Sequence, residues 1–233
     1  MTDQLLENLN ALVAGLFLLT AFGIVAMRQA RGVLNLFILQ SVLLALSALF
    51  LGLRYQSAHL YGVAMVNIII KPLLLPWLLR KTAPGEIYTR REVNQALNIP
   101  IALLIALSLT ILAYFLSQPL LNAVAPEFRG ANVPIGIAGL LLGAFTITVR
   151  REAVPLLVGI LAMENGAFLC GIAISRELPL LVELAVATDG LIVVFIMGVL
   201  TRAAHRHVGT TAVGELASLK ETVPAPAGRE NAG

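Results

Sequence analysis

A chain of 233 residues that is 58% hydrophobic and 12% charged has too few ionic side chains to cover a soluble surface. Its mean hydropathy of +0.89 indicates an integral membrane protein instead. The net charge of +3 comes from basic residues at the ends of apolar segments, which membrane topology explains, so nucleic acid is excluded as a partner.

The N-terminal stretch carries Asp3 and Glu7 and no basic residue before Arg28, the reverse of a cleaved signal peptide. It reads as the outer end of a retained helix. Apolar runs long enough to cross a bilayer follow at 9–27, 32–53, 59–79, 99–117, 133–149, 153–175 and 179–201. Lipid cannot satisfy backbone polar groups, and the runs lack the two-residue alternation of a barrel, so helices are expected. The fold class is therefore all-α, a polytopic membrane protein with seven transmembrane helices.

Charge sets the expected orientation. With the N-terminus outside, twelve basic residues fall on the inner side (Arg28, Arg31, Arg80, Lys81, Arg90, Arg91, Arg150, Arg151, Arg202, Arg206, Lys220, Arg229). Three, Arg54, Arg129 and Arg176, fall outside, which favours N-out, C-in. Arg28, Arg54 and Arg80 are spaced by 26 residues, as are Arg150, Arg176 and Arg202. A shift of 122 superposes the two sets and places Asn10 on Asn132 and Asn67 on Asp189. This suggests a parallel three-one-three internal repeat. The expected units are 1–80, a first three-helix repeat; 81–131, an inner loop, linker helix and outer loop; 132–202, a second three-helix repeat; and 203–233, a cytoplasmic tail.

Polar groups inside these spans are the candidate functional residues. Glu164 lies about eleven residues into the sixth span and Asp189 about ten into the oppositely directed seventh, so both fall near the midplane. Lys71, Asn67 and Gln40 lie at similar depth, Asn165 and Thr188 flank the two acids, and Glu183 sits nearer the outer end. A charge at a helix centre costs about 2.5–3.5 kcal/mol on insertion scales and usually faces protein or a water-filled cavity. One cation, Lys71, cannot neutralise two midplane acids, so an acid is left that can take up and release a proton. Glu164, Asp189, Lys71 and Glu183 are the proton-relay candidates; Asn67, Asn165, Gln40 and Thr188 are the supporting polar groups. Ala162, Gly166 and Cys170 form a small-residue stripe suited to close helix contact, and Glu164 points about 200° away from Gly166. Pro72 and Pro76 after Lys71 imply a kink.

No phosphate-binding glycine loop, nucleophile elbow, or metal or haem ligand pair is present, so no catalytic, cofactor or metal residue is assigned. Cys170 alone excludes a disulfide framework. His59, His205 and His207 read as solvated.

The segments "AMENGAFL", "PLLVELAVATDG" and "IIIKPLLLPWL", with the pair Gln40-Ser41, resemble the hydrogenase-4 component E family, as does the tail "HVGTTAVGELASLKE". The last three spans also resemble chain K of NADH:quinone oxidoreductase and the C subunit of multisubunit Na+/H+ antiporters. That family carries two intramembrane glutamates. Asp189 falls where the second is expected; the first would fall at Leu161, whereas the acid here is Glu164, one turn away on the same face. The resemblance implies a multi-pass subunit of the inner (plasma) membrane in formate hydrogenlyase, group 4 [NiFe]-hydrogenase or related complexes. Its partners would be antiporter-like and hydrogenase or quinone-module subunits. It implies no metal or quinone site in this chain, which would not be catalytic by itself. The alternative is a stand-alone small-solute transporter of three-helix-repeat type. It is disfavoured by the buried acids and by the lack of a Pro-Gln pair.

Overall fold

The computed structural model describes residues 2–82, 97–123, 130–174 and Phe195. Each run of residues long enough to form an element is helical. Helix α1 spans Thr2–Ala26, α2 Ala30–Tyr55, and α3 Ala58–Ile69. A π-helical segment, Ile70–Leu74, joins α3 to α4, Leu75–Thr82, in one continuous rod. Helix α5 spans Ile99–Ala123, α6 Asn132–Val149, and α7 Ala153–Ile174.

Local chemistry explains several of these limits. Asp3 in the first turn of α1 complements the positive end of the helix dipole. Pro134 and Pro155 sit in the first turns of α6 and α7, where the missing N–H has no intrahelical partner to lose. Helix α2 ends at Gln56, whose φ of 51° is left-handed and whose N–H returns to the Gly52 carbonyl. Gln56 holds this strained cap with its own side chain, which donates to the Leu53 carbonyl at 2.9 Å. Pro72 and Pro76 withhold two backbone donors, and the chain responds with the wider π turn, in which the Leu75 N–H donates to the Ile70 carbonyl.

Six helices among the described residues are long and apolar enough to span a membrane: Asp3–Ala26, Ala30–Tyr55, Ala58–Lys81, Ile99–Asn122, Asn132–Val149 and Ala153–Ile174. The expected count of seven is thereby corrected to six among the described residues. The segment 179–201 lies outside the described residues apart from Phe195. Apolar length alone had nominated it, and hydropathy does not fix where a segment carrying Glu183 and Asp189 packs. The loop residues 83–96 and 124–129 and the tail 203–233 also lie outside the described residues. The chain is a multi-pass helical membrane protein.

Helices α1, α2, α6 and α7 form the centre, with α1 on α2 and α6, and α7 on α6 and α2. The rod α3–α4 lies along α2, and α5 lies along α6 and α1. The tightest pair is α6 and α7. A Cβ added at Gly166 would lie 2.1 Å from the Leu140 nitrogen, at Gly143 2.4 Å from that of Met163, and at Gly136 2.5 Å from that of Cys170. Only hydrogen fits there, so the backbones meet directly along the stripe that Gly166 and Cys170 provide. Helix α5 is the most lipid-like: Ile101, Leu104, Leu107, Ile111 and Phe115 are all exposed. A bilayer solvates such a surface without penalty.

Candidate functional site

Two apolar clusters stack along the helices. One gathers Ile24, Leu34, Phe37, Leu75, Leu157 and Leu161; the other gathers Val13, Phe17, Leu44, Val63, Phe168 and Leu169. Between them, at mid-helix, lies a layer of polar side chains. On α2 it is Gln40 and Ser41, on the π segment Lys71, on α7 Asn165. All four are buried, Lys71 at 3% exposure and the others at 0%.

Asn165 is the hub of this layer. Its Oδ1 accepts a hydrogen bond from Lys71 Nζ at 2.8 Å. Its Nδ2 donates to Ser41 Oγ at 3.0 Å and to Gln40 Oε1 at 3.4 Å. Ser41 Oγ in turn donates to the Phe37 carbonyl at 3.0 Å. The Lys71 ammonium also lies 5.7 Å from the Phe168 ring centroid, within cation–π range. On the rod, Val63 and Ala64 join one apolar cluster and Leu75 and Leu79 the other, with Lys71 between them in sequence.

The other expected residues are placed as follows. Asn67 is buried one turn before Lys71 on the same rod, at 2% exposure. Glu164 is half-buried, with its Oε2 shielded from solvent. It shares a helix face with Phe168, four residues on, the ring beneath Lys71. Asp189, Thr188 and Glu183 lie outside the described residues. The layer that the described residues bring together is therefore Lys71, Asn165, Ser41 and Gln40.

Two polar sites escaped the sequence reading. Arg150, read from its charge as a loop-end residue, is buried at 3% exposure. Its Nη2 donates to the carbonyls of Ile24 at 2.9 Å, Val25 at 3.0 Å and Met27, at and just past the C-terminal end of α1. The carbonyls at a helix C-terminus carry the negative end of the helix dipole, so a cation from a neighbouring helix end complements them. Burial lowers the Arg150 pKa to about 10, with nearby Glu152 acting in the opposite sense, and it stays cationic at neutral pH. The signal in the sequence is the short connection between α6 and α7, which leaves Arg150 no room to reach away. The second site joins α1, α2 and α6. Asn10 donates to Asn132 Oδ1 at 3.0 Å, Asn132 donates to Ser47 Oγ at 2.9 Å, and Ser47 donates to Asn10 Oδ1 at 2.7 Å. Asn10 and Asn132 are the pair that a shift of 122 residues superposes.

No group of three or more His, Cys, Asp or Glu among the described residues is placed to hold a metal ion. The layer offers one ammonium, two amides and a hydroxyl, a set suited to holding and directing hydrogen bonds rather than to bond-making chemistry.

No family model and no solved structure matches the chain. Curated relatives do. The uncharacterized protein Rv0085 of Mycobacterium tuberculosis is 31% identical over 208 residues, covering 89% of this chain and 94% of the relative. Hydrogenase-4 component E of Escherichia coli K12 and that of Shigella flexneri are each 29% identical over 217 residues, covering 89% of this chain and 95% of the relative. The alignments run nearly end to end, so they span the polar layer and the helices that carry it. The chain belongs to the family of the mycobacterial protein Rv0085 and is a distant homologue, over most of its length, of hydrogenase-4 component E.

Proposed function

We propose that the chain is a non-catalytic membrane subunit of a hydrogenase- or complex I-related assembly in the inner membrane, where its buried charged residues serve proton translocation or energy coupling. The observation that carries this reading is the match to hydrogenase-4 component E across 95% of that relative. The buried Lys71 layer supports it, because a charge kept at mid-membrane against its desolvation cost is by default a functional group. Glu164 and Asp189 are the groups that take up and release protons, Lys71 the cation that tunes them, and Glu183 a further member. Its partners are antiporter-like and hydrogenase or quinone-module membrane subunits.

Affinity purification of the chain from mild detergent tests the assembly: hydrogenase or antiporter-like subunits should co-elute. Recovery of the chain alone, together with solute uptake by it in liposomes, would replace this reading with that of a stand-alone transporter. Glu164→Gln tests the relay separately. It should leave assembly intact and lower proton pumping or hydrogenase coupling at least several-fold; normal coupling in an assembled variant removes Glu164 from the pathway.

A further inference from the structure

Hydrogen-bond direction in the polar layer is fixed outward from Lys71. An ammonium only donates, so Asn165 must turn its Oδ1 toward Lys71 Nζ. The Nδ2 end of that amide has only hydrogens to give, and it gives them to Ser41 Oγ and Gln40 Oε1. Gln40 therefore presents its oxygen to the layer and carries Nε2 on the far side. The reverse orientation would set two NH2 groups face to face, so the lysine two residues along the chain of bonds dictates which way the Gln40 amide points. In that orientation Nε2 is fully shielded, and no described residue accepts a hydrogen bond from it.

We propose that Gln40 Nε2 holds a single buried water molecule at mid-membrane, on the far side of α2's amide from Asn165. A buried amide donor requires an acceptor, and ordered water is the ordinary one where, as among the described residues, no side chain or backbone group supplies it. The acceptor is a neutral molecule rather than an anion. A single neutral amide donor is too weak to offset the dehydration of a halide at lipid depth. The water lengthens the directed chain from Lys71 through Asn165 and Gln40 by one member. This site goes beyond the proposed function and holds whether or not the assembly moves protons.

A lipidic-phase crystal structure of the full chain, at a resolution that shows ordered water, tests this when determined once in chloride and once in bromide. The expected result is a spherical peak about 2.7–3.2 Å from Gln40 Nε2 with no anomalous signal in bromide. No peak overturns the proposal, and so does a bromide signal, which would identify an anion. In Gln40→Leu the peak should vanish while Lys71 and Asn165 stay in hydrogen-bond contact; a peak that survives is held by another group and also overturns it. The two wild-type data sets decide the question even if that variant does not fold.

Discussion

Asn165→Leu keeps the volume of the side chain and removes both ends of its amide. Lys71 loses the acceptor 2.8 Å from Nζ, and Ser41 and Gln40 each lose a donor. A hydrogen bond to a charged group is worth about 1.5–3 kcal/mol in water-soluble proteins. Within membranes, interhelical pairs measure nearer ~0.6 kcal/mol on average and at most ~1.7. The Phe168 ring, 5.7 Å from Nζ, remains and offsets part of the loss. The net expectation for Asn165→Leu is a loss of about 2 kcal/mol of stability. Lys71→Met should cost less, about 1 kcal/mol, because it also removes the burden of keeping an ammonium at mid-membrane. The double variant should resemble Lys71→Met alone, giving a coupling of about 2 kcal/mol in magnitude. The single tryptophan, Trp77, is 56% exposed and lies on the same rod as Lys71, so its fluorescence reports unfolding by SDS in mixed micelles. Additive single effects, with a coupling under about 0.5 kcal/mol, would refute the assignment of Asn165 as the group that holds Lys71.

Other outcomes follow from the packing. Gly166→Leu should abolish folded protein in a detergent thermal melt, since its Cβ would lie 2.1 Å from a backbone nitrogen that cannot move aside. Gly15→Ala, with open space around the added carbon, should be tolerated and stabilise α1 by up to about 1 kcal/mol in the same assay. Arg150→Met removes the donor from three carbonyls at and just past the end of α1, and hydrogen exchange should accelerate over Ile24–Met27 first; Arg150→Lys should restore part of the protection. Asn132→Leu should lower the unfolding free energy by about 1–2 kcal/mol, because Asn10 and Ser47 lose their shared partner.

The spans and their polar members were legible because hydropathy and depth are linear properties of a sequence. Gln40, Lys71 and Asn165 stand out as polar residues in apolar runs. Their pairing was less legible. Charge counting directed attention from Lys71 to acids and did not single out Asn165, an acceptor at hydrogen-bond distance. Adjacent residues on α7 differ by 100° in direction, so the rotation of that helix decides how Asn165 is presented to the lysine. That rotation is set by the Gly166 contact with α6, a tertiary fact. The prolines announced a kink after Lys71, but not that the helix would widen into a π turn. Arg150 was legible as a charge and not as a cap, because the carbonyls it serves belong to a helix more than 120 residues earlier.

The polar layer also bears on how the chain is assembled. Gln40 and Asn165 are 125 residues apart, so α7 enters the membrane long after α2 and the π segment. Until it docks, Lys71 lacks the amide that receives it. A slip of one helical turn, about 5.4 Å, would bring Leu161 or Leu169 to the level of Asn165 and replace its amide with methyl groups. The bonds of Asn165 thus work as a vernier that distinguishes the seated α7 from one displaced by a turn. Quality-control proteases that sense unsatisfied charge in the bilayer would recognise the displaced form.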